Sequence, residues 1–274
     1  MDISKKKANI IKAIKFPLLH RLYTHRRYIA YNAWYELRFR YAGTGIGMFW
    51  NLIHPLAEIT LYTLVFSLLI GRGMREESYT LYLTSGLLPW KTFADAIFQG
   101  SNAFLQNTIY LKRLAIPAEI FVAKIAVTSL FLLFLYLIFI IPLSYFFGGE
   151  MGWSLLGLPI LAAFLHGLGL GMALVLANLQ VLFPDVRQIL QVFMPLWSWT
   201  MPIIYPEQII PTNLKPFLYF NPPYAFLESI RHVILDDHLP SIEVWGIMLG
   251  WLLLFLGLGA LVNDKLKDEV KDVL

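Results

Sequence analysis

The sequence predicts an all-α integral membrane protein with six transmembrane helices. Six long apolar stretches lie between Met48 and Val262. Lys and Arg fall almost entirely on alternate connections between them. In addition, 58% of the 274 residues are hydrophobic and only 15% are charged, which is far too apolar for a soluble chain of this length. A hydrocarbon core about 30 Å thick requires roughly 20 apolar residues of helix, with every backbone amide bonded inside the segment. The predicted spans cover 48–70, 81–104, 120–147, 155–182, 187–205 and 243–262. The chain divides accordingly into 1–47, a basic tail and an amphipathic interface helix; 48–262, the membrane domain; and 263–274, a C-terminal tail.

Orientation follows from the 22 basic residues. Lys5, Lys6, Lys7, Lys12, Lys15, Arg21, Arg26, Arg27, Arg38 and Arg40 all precede the first span. Lys112 and Arg113 occupy the connection between spans two and three, Arg187 follows span four, and Lys265, Lys267 and Lys271 close the chain. The other side receives only Arg72, Arg75, Lys215 and Arg231, while Lys91 and Lys124 lie in or at the ends of spans. The positive-inside bias therefore predicts both termini in the cytoplasm. The basic balance reads as topology and anionic lipid headgroups, not nucleic acid. The chain has no cysteine, which excludes a disulfide framework, a thiol nucleophile and a Cys metal site. No signal peptide is expected, because the first apolar run begins at Met48 and is long enough to remain in the membrane.

Between Tyr23 and Tyr41 the pattern becomes helical. Asn32, Glu36 and Arg40 recur every four residues, with Ala30, Ala33, Trp34, Leu37 and Tyr41 on the other side. This helix is expected in the headgroup layer, aromatics inward and arginines toward phosphates. Gly43, Gly45 and Gly47 then permit a turn into the first span. That span carries His54, Pro55 and Glu58, and at i and i+4 His54 and Glu58 are placed to partner each other. Ionisable groups at membrane depth are functional candidates, although packing near the interface also accounts for them. The second span holds Pro89, Trp90, Lys91 and Asp95, which predict a bend and a polar patch. In the fourth, the Gly167-xxx-Gly171 spacing permits close helix approach. The connection from Pro206 to Glu243 is too apolar for a plain loop, and its Asn221-Pro222-Pro223 turn predicts two short helices dipping back into the outer leaflet as a lid.

The sequence contains no phosphate loop, no His-Glu-x-x-His, no nucleophile elbow and no Gly-x-Gly-x-x-Gly. No catalytic residues and no metal site are expected. Energy for any uphill step would come from a partner chain or an ion gradient, and the scarcity of ionisable groups after Asp95 favours a partner.

Four stretches carry a family resemblance. They are Arg40-Tyr41-Ala42-Gly43-Thr44-Gly45-Ile46-Gly47 leading to Trp50 and His54-Pro55; Tyr82-Leu83-Thr84-Ser85-Gly86-Leu87-Leu88-Pro89-Trp90; Phe183-Pro184-Asp185-Val186-Arg187; and Pro202-Ile203-Ile204-Tyr205 followed by Asn221-Pro222-Pro223-Tyr224. In order and spacing over residues 35–274 the chain resembles the membrane subunit of ABC-2 type exporters, in the branch of O-antigen and teichoic acid permeases. It departs from the family at Pro184, where an Arg often precedes the Asp, and in its longer basic N-terminus.

The resemblance implies a homodimer in the bacterial inner membrane, bound to two copies of a separate ATPase that carries the ATP-Mg, with no cofactor in this chain. It implies export of a polyprenyl diphosphate-linked glycan, with O-antigen favoured over teichoic acid. ATPase coupling then falls to Glu36, Tyr110, Lys112, Arg113 and Pro117, and the external gate to Phe217, Phe220, Tyr224 and Phe226. The aromatic load suggests a passage lined by Tyr62, Trp90, Phe93, Phe98, Phe104, Trp197, Trp199 and Tyr205, whose faces suit sugar C–H surfaces. Each of these also fits packing or interface anchoring. Arg38 and Arg40 are placed to attract the diphosphate. Competing readings are an ABC-2 drug exporter, a secondary carrier, and an enzyme acting on polyprenyl lipids. The last would rely on Asp236 and Asp237, which more simply end a helix.

Overall fold

The computed structural model describes residues 17–70, 76–113, 116–146 and 152–274. The basic tail before residue 17 and the connection carrying Arg72 and Arg75 lie outside the described residues. Among those described, the chain is all helical, with no strand. In order the helices are α1 (Pro17–Thr24), α2 (Arg26–Phe39), α3 (Trp50–Ile70), α4 (Glu76–Ser101), α5 (Ala103–Gln106), α6 (Thr108–Arg113), α7 (Glu119–Phe146), α8 (Leu158–Leu182), α9 (Val186–Trp199), α10 (Lys215–Leu218), α11 (Tyr224–Leu235) and α12 (Ile242–Val273).

Among the described residues, three helical stretches are long and apolar enough to cross a membrane: Glu119–Tyr145, Trp153–Leu182 and Ile242–Val273. Predicted spans three, four and six fall on them. The first two predicted spans are the helices α3 and α4, and Pro55 and Pro89 sit inside them without ending them. The fifth span requires correction. Its helix has 14 residues, about 21 Å at the α-helical rise, which is shorter than the hydrocarbon core. Pro202 explains the stop, since a proline disfavours helical geometry at the residue before it, and the chain turns through Thr200–Tyr205. Helix α12 runs unbroken past 262, so the C-terminal segment is helical as far as Val273.

Helix α8 is the centre of the bundle and packs against α4, α7 and α12. A leucine-rich face (Leu161, Leu165, Leu168) is fully buried. In an apolar solvent helices associate through close packing and not through water release, which favours small residues at crossings. Gly171 meets that requirement: a Cβ there would overlap the backbone of Phe255 and Leu256, and Gly259 of α12 faces the Gly171 carbonyl. Gly167 sits a turn earlier against Leu252, so the small-residue spacing read in the sequence marks a real crossing.

The N-terminal region forms two helices joined at His25, with Ile29, Ala33 and Leu37 as the buried stripe of α2. This corrects the assignment of faces, because Ala30 and Trp34 are exposed. The supposed polar side is instead partnered by protein. Glu36 pairs with Lys124 of α7 at 2.7 Å, and Arg40 with Asp95 of α4 at 3.0 Å.

Candidate functional site

Helix α4 carries most of the chemistry. Midway along it, Lys91 forms an ion pair with Glu58 of α3. His54 is therefore not the partner of Glu58, and its ring packs instead against Trp50 and Tyr41. Local i, i+4 spacing made the His54–Glu58 pair available, but a neighbouring helix supplied a full positive charge. The Glu58–Lys91 pair lines a cavity of about 300 Å³ with Tyr62, Trp90, Ser198 and Trp199. The surfaces beside it are apolar and uncovered. Leu56, Leu61 and Leu64 of α3 and Val192, Phe193 and Leu196 of α9 are all exposed.

Towards the N-terminal end of α4 the motif residues converge on one knot. Tyr79 donates its hydroxyl hydrogen to the Ile204 carbonyl at 2.9 Å, and Tyr82 donates to the Pro202 carbonyl at 2.9 Å. The buried Arg231 guanidinium of α11 donates to the same Pro202 carbonyl at 2.9 Å and to Glu228 at 2.6 Å. It also lies 3.9 Å from the Tyr82 ring centroid, a cation–π arrangement. Gly86 makes room for it, since a Cβ there would overlap the guanidinium. Trp197 Nε1 donates to Asn221 Oδ1 at 2.8 Å, and Asn221 Nδ2 donates to Thr200 Oγ1 at 2.8 Å. The turn 200–205, the Asn221-Pro222-Pro223 break and α11 are thus held to α4 and α9 by directional bonds. On the far face of α11, His232 sits 3.3 Å from Glu228 and 2.7 Å from Asp236. The bond to Glu228, and then that to Asp236, outweigh burial and push the imidazole up to about 9.

At the opposite end, buried Glu119 at the start of α7 accepts from Arg21 of α1 at 2.7 Å and from Asn263 of α12 at 3.3 Å. Arg21 also reaches Asp264 at 3.3 Å. Pro117, Glu119, Lys267 and Lys271 border a cavity of about 320 Å³ there. Tyr110, Lys112 and Arg113 on α6 are exposed at the same end.

The structure brings together Tyr62, Trp90, Trp197 and Trp199 of the predicted passage set, with Trp197 edge-on to Trp90 at 5.4 Å. Tyr205 joins them by donating to the Trp199 carbonyl at 3.1 Å. Phe93 and Phe104 are both fully buried, Phe93 against the Trp90 and Trp197 rings at 5.8 and 5.9 Å. Phe104 belongs to a separate apolar cluster with Leu18. Phe98 lies 5.8 Å from the Arg187 guanidinium. Of the two arginines assigned to the diphosphate, Arg38 is exposed and Arg40 is bonded to Asp95, which also accepts from Ser129 at 3.1 Å. Of the residues predicted for the external gate, Phe217 and Phe220 are exposed, whereas Tyr224 and Phe226 are buried. The sequence reading missed Arg231 and Glu228. The available signal was an Arg three residues after a Glu inside an otherwise apolar run, Tyr224-Ala225-Phe226-Leu227-Glu228-Ser229-Ile230-Arg231.

Three membrane-length apolar helices, and beside them a cavity between α3, α4 and α9 with an ion pair and aromatic walls, suit a membrane transport protein. Residues 27–235 match the ABC-2 type transporter family, and the chain belongs to that family. It is similar to the O-antigen export system permease protein RfbA of Myxococcus xanthus, 25% identical over 82% of this chain and 87% of that protein. The protein of the same name from Klebsiella pneumoniae is 25% identical over 87% of this chain and 92% of its own length. The polysialic acid transport protein KpsM of Escherichia coli is 22% identical over 80% of this chain and 84% of its own.

Proposed function

We propose that this chain is the membrane subunit of an ABC exporter that moves a polyprenyl diphosphate-linked polysaccharide of O-antigen type across the bacterial inner membrane. Two copies associate and bind two copies of a separate ATPase, and ATP-Mg is consumed in that partner. The chain spans the bilayer six times, the short α9 and the turn 200–205 together making the fifth crossing, with both termini cytoplasmic. The segment 206–240 forms a re-entrant external gate in which exposed Phe217 and Phe220 face the exit.

The observation that carries this reading is the cavity at Glu58–Lys91. Its Tyr62, Trp90 and Trp199 rings offer faces for sugar C–H surfaces, and the ion pair offers hydrogen bonds to hydroxyls. It adjoins the exposed apolar faces of α3 and α9, which lipid or a second copy would cover. A self-complementary pairing of two such faces would turn two cavities into one central passage. At the other end, α6 with Tyr110, Lys112, Arg113 and Pro117 offers the ATPase a surface braced through Glu119 to α1 and α12. Glu36 supports that surface through its bond to Lys124 and does not reach outward. Arg38 remains available to the diphosphate, while Arg40 acts by holding Asp95.

The test is reconstitution. The chain is purified with the ATPase encoded beside it, placed in liposomes and given purified polyprenyl diphosphate glycan. A glycan-dependent rise in ATP hydrolysis and a complex of two chains with two ATPase copies are expected. A single-copy chain with no ATPase partner would overturn the reading.

A further inference from the structure

A larger cavity, about 870 Å³, lies away from the Glu58–Lys91 site, in a cleft between α11, α12 and the segment 207–220. Tyr224, Glu228 and His232 stand on one face of α11 at four-residue spacing. Across from them, Ile247, Gly250, Trp251 and Leu254 share one face of α12. Trp251 Nε1 donates to the Tyr219 carbonyl at 3.1 Å, and Ser229 Oγ lies 3.8 Å from Met248 Sδ, so α12 is tied to the segment 207–220 and to α11.

The cleft is chemically two-ended. One part holds charges of both signs: Lys215 is paired with Glu207 at 3.0 Å, and His232 is paired with Glu228. The other is apolar and aromatic, and it is open to an apolar rim. Phe220 and Leu254 line it and are exposed. A sugar chain could stack on the rings but would gain nothing from the aliphatic Ile247 and Leu254, and a purely apolar chain would gain nothing from two ion pairs. An amphipathic ligand with both charges in its polar end uses all of it.

We propose that this cleft binds one phospholipid whose headgroup carries both a phosphate and a free ammonium, its acyl chains lying along Ile247 and Leu254. Lys215 donates to the phosphate oxygens, while His232, whose two ring N–H groups are held by Glu228 and Asp236, adds positive charge beside them. Glu207 and Glu228 each retain unused lone pairs and accept from the ammonium N–H groups. Position favours membrane lipid, because Gly250 lies about 12 Å along α12 from its first residue, within the lipid-facing length of that helix.

The test is native mass spectrometry of the full chain purified with its ATPase. It is delipidated and then supplied with phosphatidylethanolamine, phosphatidylcholine or phosphatidylglycerol. One phosphatidylethanolamine per chain is expected to survive activation that strips the other two, since the quaternary ammonium of phosphatidylcholine donates no hydrogen bond. Gly250→Leu fills the cleft where a Cβ meets open space, and it is expected to abolish retention with an unchanged unfolding temperature. Lys215→Met is expected to weaken retention about tenfold, the loss of one charge-assisted bond. Equal retention of phosphatidylcholine, undiminished retention in Gly250→Leu and Lys215→Met, or displacement by a soluble oligosaccharide would each overturn the proposal.

Discussion

Arg231 shows how much one side chain can organise. Its guanidinium serves Glu228, the Pro202 carbonyl and the Tyr82 ring at once, in a space that exists because residue 86 is glycine. Removing one partner of a buried pair strands the other, at a cost of about 3 kcal/mol. Arg231→Met is therefore expected to lower the thermal unfolding temperature of the detergent-purified chain sharply. Adding Glu228→Gln should recover part of the loss. Gly86→Ala should cost about 2 kcal/mol by overpacking. None of this was legible in the sequence beyond the Glu-x-x-Arg spacing, because Tyr82, Gly86 and Pro202 lie far away along the chain and periodicity is blind to such contacts. The His54–Glu58 pair failed for the complementary reason, since local spacing offered it and Lys91 of another helix won. His232 gives a pH signature. Its folded pKa of about 9 exceeds its ordinary value, so its stabilisation is complete below about pH 6.5 and is lost as pH rises through about 9. Unfolding temperature should fall across that window, and His232→Gln should flatten the fall.

At the scale of elements, long apolar runs were easy to read, which is why α7, α8 and α12 stand where hydropathy placed them. The early end of α9 was harder to see, because Trp197, Trp199 and the residues after them remain apolar while Pro202 turns the chain. The polar stripe of α2 was misassigned because a helical period shows that two faces differ but not which neighbours they meet. Its Glu36 and Arg40 turn inward to Lys124 and Asp95. Helix crossings are where single substitutions discriminate best. Gly171→Val is expected to drive apart α8 and α12 at roughly 3 kcal/mol, the upper end of overpacking. Gly257→Val, where a Cβ meets nothing within 4 Å, should leave the unfolding temperature nearly unchanged. Equal effects of the two would contradict the crossing.

The whole molecule has a polarity that links its two ends. Glu119 ties α1, α7 and α12 beside the exposed α6, and the Arg231 knot ties the turn 200–205 and α11 at the far end of α4. Helix α4 connects the two, with the Glu58–Lys91 cavity between them. A push on α6 from an ATPase would thus reach the turn 200–205 and α11 by way of α5 and α4, the helix that also forms one wall of the cavity. The motifs legible in sequence mark the corners of this frame, while its buried braces emerge only when the helices are packed. The central claim is that the cavity faces the passage. The chain has no cysteine, so Ser198→Cys, in the cavity wall, introduces the sole thiol. In the reconstituted complex, a bulky membrane-impermeant thiol reagent should label this position and stop glycan export, and bound lipid-linked glycan should slow the labelling. Complete labelling with export undiminished would contradict the account.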